Sequence, residues 1–248
     1  MGILTDPAVI RQRLQADRTW SVYALGDLLP ELFANTQWFE PDLSLLFRGF
    51  NTCILFAIGD GAVEQAIRAA TWPLYLQVQA PALAVVERLA DVVQKKAMLR
   101  MGWSGDSAGW VDTARARRLR ETDLPALKRL YDDGAETGES PDFFYPSMVE
   151  AGVFFGVFRG EELLAAAGTH LFAPQEGIAA IGNVYTHRGA RSQGLSRIVT
   201  CAVLRELSTL ETVALNVRAD NAPAIHVYES LGFRTHCPFF EAIAQRPL

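Results

Sequence analysis

The stretch VYTHRGARSQGLSRIVTCAVL, residues 184–204, runs from a strand end through a glycine-containing basic loop into a helix. Val184, Tyr185 and Thr186 close an extended run that begins at Ile178. From Leu195 the apolar positions Ile198, Val199, Ala202 and Val203 recur at helical spacing. A strand feeding a helix through such a loop is an anion-binding geometry. The first helical N–H groups are exposed there, the helix dipole is positive, and Gly194 admits a bulky pyrophosphate to the main chain. Arg188, Arg191 and Arg197 gather cationic charge at the same turn. The plain alternative is an ordinary strand-to-helix loop with surface arginines.

Downstream, ALNVRADNAPAIHVYESLGF, residues 214–233, reads as a second strand-helix unit. The strand is Thr212 to Val217, and the helix runs from Ala222 to Leu231, with Pro223 in its first turn and Gly232 stopping it. Tyr228 sits one turn before that helix ends, where a tyrosine could simply pack with its hydroxyl at a rim. Upstream, Ala114 to Leu119 alternates as a strand, and Asp123 N-caps a helix ended by Gly134. Glu139 to Ser147 is an aromatic, proline-containing loop leading at most into a short helix. Val153–Phe158, Leu163–Phe172 and Ile178–Thr186 then form an antiparallel meander, and Phe233 onward is extended with a bend or bulge at Pro238. The result is an α/β domain with a mixed sheet.

The 248 residues suffice for one large domain or two ordinary ones, and a hydrophobic share of 50% excludes a disordered chain. With 23 Lys+Arg against 28 Asp+Glu, the net charge of −5 argues against nucleic acid as a partner. Cys53, Cys201 and Cys237 fit neither a disulfide framework nor a metal site, so no metal is expected and the compartment is expected to be reducing. No apolar run is long enough to span a bilayer, and the start MGILTDPAVIRQRL lacks a signal-peptide core. Asp6 stands where a myristoylation signal from Gly2 would need Ser or Thr. A cytoplasmic protein with no membrane partner is the expectation.

The two site segments together resemble the GNAT superfamily of acyl-CoA N-acyltransferases. Its R/Q-x-x-G-x-G/A loop is matched by Arg191, Gly194 and, imperfectly, Ser196, and its N-x-x-A-x-x-x-Y-x-x-x-G-F pattern by Asn221, Ala224, Tyr228, Gly232 and Phe233. The Val184-Tyr185-Thr186 run also looks like the glycine N-acyltransferase-like branch. The resemblance implies a mixed, mostly antiparallel sheet flanked by helices over residues 113–248, and an N-acetyltransferase (or short-chain N-acyltransferase) using acetyl-CoA or another acyl-CoA as co-substrate. It implies that backbone groups of Val184, Tyr185 and Thr186 bind the pantetheine arm, that the amides of Ser192, Gln193, Gly194, Leu195, Ser196 and Arg197 hold the pyrophosphate beside Arg191, and that Asn221 contacts the cofactor arm. Tyr228 would be the general acid for the leaving thiolate, and the acceptor a small-molecule or peptide amine that attacks the thioester directly. Many relatives place a glutamate base where this chain has Asn216, so the base is expected elsewhere: His170, His187 or a water chain ending at a carboxylate. Phe143, Phe144 and Tyr145, with Phe239 and Phe240 on an opposite rim, either border an acceptor site or are packing. A non-catalytic CoA-binding or sensing module and a nucleotide-dependent oxidoreductase are the rival readings. The sequence says nothing of oligomeric state.

Residues 1–112 hold all five tryptophans and form a second α/β domain, the boundary falling in the Gly/Ser segment near residue 112. GDGAVEQAIRAA, residues 59–70, imitates a dinucleotide fingerprint but reads as a turn, because Glu64 replaces its third glycine and Asp60 would face the phosphates. LYLQVQAPALAVVERL, residues 74–89, echoes the 215–231 unit, with Val86 where Tyr228 stands and nothing in place of Asn221. Residues 1–112 are thus either a degenerate, non-catalytic GNAT-like copy or an unrelated domain with a chance match.

Overall fold

A computed structural model describes residues 2–141 and 143–247. The chain falls into two compact units: Met1–Arg100 with Val217–Asn221 and Thr235–Leu248, and Met101–Asn216 with Ala222–Arg234. A single linear boundary at residue 112 was the expectation; the observed units are interleaved.

In chain order the first unit carries β1 (Ile3–Leu4), α1 (Pro7–Leu14), α2 (Val22–Gly26), α3 (Pro30–Phe33), β2 (Thr36–Phe39), β3 (Leu43–Phe47) and β4 (Cys53–Ile58). It continues with α4 (Val63–Ala69), β5 (Leu74–Val78), α5 (Ala80–Leu89) and most of β6 (Asp91–Trp103). The rest of the chain gives β7 (Ala116–Arg118), α6 (Leu124–Asp132), α7 (Ser147–Ala151), β8 (Phe154–Arg159), β9 (Glu162–Ala173), β10 (Ile178–Thr186), α8 (Leu195–Leu207), β11 (Thr212–Arg218), α9 (Ala222–Ser230) and β12 (Phe233–Gln245). The turn expected at residues 59–70 is confined to its start; once past Gly61 the chain has helix formers, and α4 follows. The last strand runs through Pro238, where a bend or bulge is expected.

In the second unit the strand order is β11-β10-β9-β8-β7, with β10 and β11 parallel and the remaining pairs antiparallel. β9 is buried nearly end to end because α6 and α8 both pack on it, and its Ala165-Ala166-Ala167 run keeps the sheet thin under them. Leu119, Leu127, Leu130, Tyr131, Phe154 and Tyr185 join in one core under α6. Asp123 stands at the N-cap of α6, but its carboxylate turns back to Arg117 (2.7 and 2.9 Å) and the Arg120 N–H (2.9 Å) instead of capping the helix.

The first unit runs through the same sequence of elements. Its strand order is β1-β2-β3-β4-β5-β12-β6; β4 and β5 are parallel, and β1 to β4 pair antiparallel. Each half therefore reads strand, helices, three antiparallel strands, helix, parallel strand, helix, strand. The core lies where α4 and α5 cover the sheet, on Leu55, Val63, Ile67, Leu76 and Val86. The C-terminal strand belongs to this unit, pairing with β5 from Phe240↔Val78 to Ala244↔Leu74. Phe239 is buried here against Trp20, and Phe240 packs on the same unit's core. Phe239 is a core residue, not a rim residue: the Trp20 ring and the Arg100 side chain lie against it.

Candidate functional site

Three irregularities of β10 open the second unit's sheet. The parallel register with β11 runs from Ile178↔Thr212 to Ile181↔Leu215 and stops there. Against β9, Ala180↔Leu171 is followed by Ile181↔Thr169, which leaves His170 as an extra residue on β9. Gly182↔Gly168 is followed by Tyr185↔Ala166, which places an extra residue on β10 where Asn183 adopts φ 53°. The Tyr131 hydroxyl donates to the Asn183 carbonyl at 2.8 Å and pins this bulge from α6. Bulges of this kind free main-chain groups from the ladder, and here they do so where β10 and β11 part.

Beyond the splay the chain turns through Arg188–Ala190 into the loop that precedes α8. Ser192 (φ 62°) and Gly194 (φ 72°) are left-handed, and a Cβ on Gly194 would meet open space. No side chain caps α8, so its first-turn N–H groups face outward, with Arg191 to Gly194 exposed. Leu195 anchors the helix in the core, while Ser196 and Arg197 are half-buried. Residues 192–197 thus join a left-handed, exposed turn to the start of a helix that no side chain caps.

The arginines are not held as the sequence suggests. Arg191 forks onto Glu139 (3.2 and 2.9 Å), its Nε reaches the Thr186 carbonyl at 3.4 Å, and its guanidinium lies 5.8 Å from the Tyr185 ring. Arg188 donates from backbone N (2.9 Å) and Nε (3.2 Å) to Asp133, which also accepts the Tyr185 hydroxyl at 2.9 Å. These donors hold the Asp133 carboxyl well below its usual range, at about 2. Arg191 likewise lowers Glu139. Arg197 donates to the Gly109 carbonyl at 2.8 Å. Sequence reasoning missed Asp133 and Glu139, which lie more than fifty positions from their partners. One trace was available: Gly134 is needed not only to end α6, because a Cβ there would approach the Tyr185 ring at 2.7 Å and the Ser140 N at 2.9 Å. That close turn, with the Glu139 N–H on the Gly134 carbonyl at 3.0 Å, carries Glu139 to the loop.

Val184 and Thr186 are half-buried on β10, and Tyr185 is buried in the core. The Thr186 hydroxyl is buried without a partner among the described residues. Asn216 directly follows the last residue of β11 that pairs with β10. Asn221 lies in the turn after β11, its N–H on the Arg218 carbonyl at 3.0 Å, and is counted with the first unit. Tyr228 lies on α9, which packs against α8; its ring meets Phe233 edge-on at 6.2 Å. Burial pushes its hydroxyl up to about 12, and no hydrogen-bond partner for it occurs among the described residues.

Neither histidine is placed as a ready base. His170 is hydrogen-bonded to the Phe143 backbone and burial pushes it down to about 4, so it is neutral and weakly basic near pH 7. Nδ1 of His187 accepts the Gly189 N–H at 3.1 Å, and Nε2 faces Asp133 at 3.5 Å. Phe144 packs edge-on against Tyr131 and Phe154, whereas Phe143 is exposed. Among the described residues no three His, Cys, Asp or Glu side chains cluster as metal ligands, and no helix is long and apolar enough to cross a membrane.

The FR47-like protein family matches residues 154–239, the span from β8 into β12. Mycothiol acetyltransferase of Streptomyces scabiei is 41% identical over 88 residues, 34% of this chain and 27% of that protein. The enzyme of the same name from Tsukamurella paurometabola is 33% identical over 104 residues, 38% of this chain and 34% of that one. The matched stretch thus spans about a quarter to a third of those relatives' length. A putative GNAT-family acetyltransferase from Novosphingobium aromaticivorans superposes with a TM-score of 0.63 at 23% identity, covering 83% of this chain and 89% of its own. A Drosophila protein superposes with a TM-score of 0.69 at 16% identity, covering 99% and 98%. With the bulged β10, the splayed β11 and the uncapped α8, these likenesses show that the chain has the fold of the GNAT-family structure it superposes on.

Proposed function

We propose that the chain is an N-acetyltransferase that moves the acetyl or another short acyl group from acyl-CoA to the primary amine of a small molecule. The observation that carries this reading is the end of the β10–β11 register at Ile181↔Leu215, followed along the chain by an exposed turn into the uncapped start of α8. The pantetheine arm pairs with main-chain groups of Val184 to Thr186, and the pyrophosphate sits on the amides of residues 192–197. The neutral amine nitrogen attacks the thioester carbon, the C–S bond breaks, the nitrogen gives its proton to water, and Tyr228 donates a hydrogen bond to the departing sulfur, which takes its proton from solvent. The names of the mycothiol acetyltransferases support acetyl as the donor group. Three free cysteines fit a reducing cytoplasm. Release of CoA thiol from acetyl-CoA, screened over amino acids, polyamines, aminoglycosides and small thiol-bearing amines, tests the reading. Tight acetyl-CoA binding with no thiol release from any amine would favour a sensing module instead.

Asn216 carries no carboxylate, and His170 and His187 are both engaged by neighbouring backbone groups. The acceptor then reacts from its neutral fraction. We expect log(kcat/KM) to climb with unit slope from about pH 6 up to the acceptor's own amine pKa, with no plateau above about pH 7 from a histidine; His170, at about 4, is already neutral throughout. A plateau beginning at about pH 6.5 would assign a histidine base.

The first unit fits a retired copy of the same domain. Its parallel register also spans four positions, Cys53↔Leu74 to Phe56↔Gln77, and then ends. There the Trp20 indole N–H donates to the Ala57 carbonyl at 3.1 Å, and a fully buried Arg100 is caged by Trp20, Tyr23 and Phe239 at 4.9 to 5.3 Å. Where an anion loop would stand, the Gly61 N–H is already taken by the Asp42 carboxylate at 2.9 Å. Calorimetric titration with CoA should therefore give one binding site per chain, and a second site of similar affinity would count against retirement.

A further inference from the structure

The loop before α8 holds an anion of the protein's own. The two Glu139 oxygens lie on Arg191 at 3.2 and 2.9 Å, in the fork-to-fork arrangement that a guanidinium offers to carboxylate or phosphate alike. Arg191 is held from its other side by the Thr186 carbonyl and by the face of Tyr185, and the forked edge it would offer a phosphate is the one Glu139 fills. Glu139 is itself positioned, by the Thr137 hydroxyl at 3.0 Å and by the tight turn on Gly134. Both side chains of the pair are a little under half exposed, so an incoming ligand can reach them. The first unit offers the comparison: its corresponding loop gives the Gly61 N–H to Asp42.

We infer that Glu139 is an internal competitor for the phosphate subsite, a specificity-determining residue that must leave Arg191 before the pyrophosphate of an acyl-CoA can take its place. This rests on the acyl-CoA reading above. The displacement weakens every ligand that needs Arg191 and leaves untouched a thioester that lacks phosphates. Only ligands with many other contacts along the loop and β10 retain useful affinity; free phosphate and simple carboxylates are excluded. No bond is made or broken in the exchange: one carboxylate returns to water as one phosphate group leaves it.

The test compares CoA with pantetheine by calorimetry on the full chain, as wild type, Glu139→Gln, Arg191→Ala and the double variant. Glu139→Gln should bind CoA about two- to five-fold tighter, the range an ion pair at the surface carries, with pantetheine affinity unchanged. In the Arg191→Ala background the same substitution should change CoA affinity by less than about a quarter of that, since the competitor has lost its subsite. Melting temperatures of all four proteins report that each is folded. Equal CoA affinity for wild type and Glu139→Gln, or tightening that persists without Arg191, overturns the competitor role. Failure of the wild type to bind CoA at all would instead strike the acyl-CoA reading.

Discussion

Replacing Tyr228 by Phe should lower kcat about 10²- to 10³-fold while leaving the dissociation constant for CoA within about two-fold, the signature of a donor that acts on charge developing in the transition state. Phenylalanine preserves the edge-on contact with Phe233 at 6.2 Å, and the lost hydroxyl abandons no hydrogen-bond partner among the described residues, so the fold should be unaffected. The hydroxyl, raised to about 12 by burial, stays protonated throughout the working range. Handing that proton completely to a thiolate of ordinary thiol basicity, near 8.5, is uphill by about 3.5 units. The expected contribution is therefore a hydrogen bond to the sulfur as it leaves, with the thiol completed from solvent. Pre-steady-state thiol release measured with Tyr228→Phe checks this, and an unchanged rate removes Tyr228 from the chemistry.

Asp133→Ala should be the most damaging polar substitution in the second unit. One carboxylate receives the Tyr185 hydroxyl, the Arg188 N–H and the Arg188 Nε, and so ties the end of β10 and the start of the phosphate turn to the end of α6. Removing it should cost about 2 to 3 kcal/mol in urea unfolding at pH 7, the scale of hydrogen bonds to a charged group with part of the loss returned by water. It should raise KM for acyl-CoA more than it lowers kcat, because the turn loses its position and no reacting group is removed. The carboxyl is depressed to about 2 in the folded chain, so its stabilisation is complete above its unfolded value near 3.8 and disappears as pH falls toward 2. The gap between wild type and variant should accordingly narrow below about pH 4. A gap independent of pH would mean that the substitution merely perturbs packing.

Local chemistry carried most of the second half's architecture in the sequence. The strand at Ile178–Thr186 and the helix starting at Leu195 are legible because alternation, helical spacing and Gly194 act within a few residues of one another. The strand-to-helix turn between them was legible for the same reason. The bulges at His170 and Asn183 were not, because register is settled by the partner strand. Asp133 and Glu139 were invisible for a related reason: a carboxylate on a helix end or loop looks like solvated surface until folding brings Tyr185, Arg188 and Arg191 to it. The surroundings of His170 and His187 are encoded by no spacing: burial for one and the Gly189 amide for the other. In the first half, the echo of residues 74–89 with 215–231 pointed to a repeated order of elements that the two units share.

The pairing of β12 with β5 has a consequence for how the protein is made. Val78 meets Phe240, a partner 162 positions later, so at roughly 5 to 20 residues per second β5 leaves the ribosome roughly 8 to 30 s before the strand that covers it. During that interval the nascent first unit presents an open, apolar edge, Leu74-Tyr75-Leu76, of the kind that recruits other strands. Chaperone dependence and losses to aggregation during synthesis should therefore trace to the opening third of the chain, and a stop codon placed before residue 235 should harm that third most of all, although it removes nothing from it.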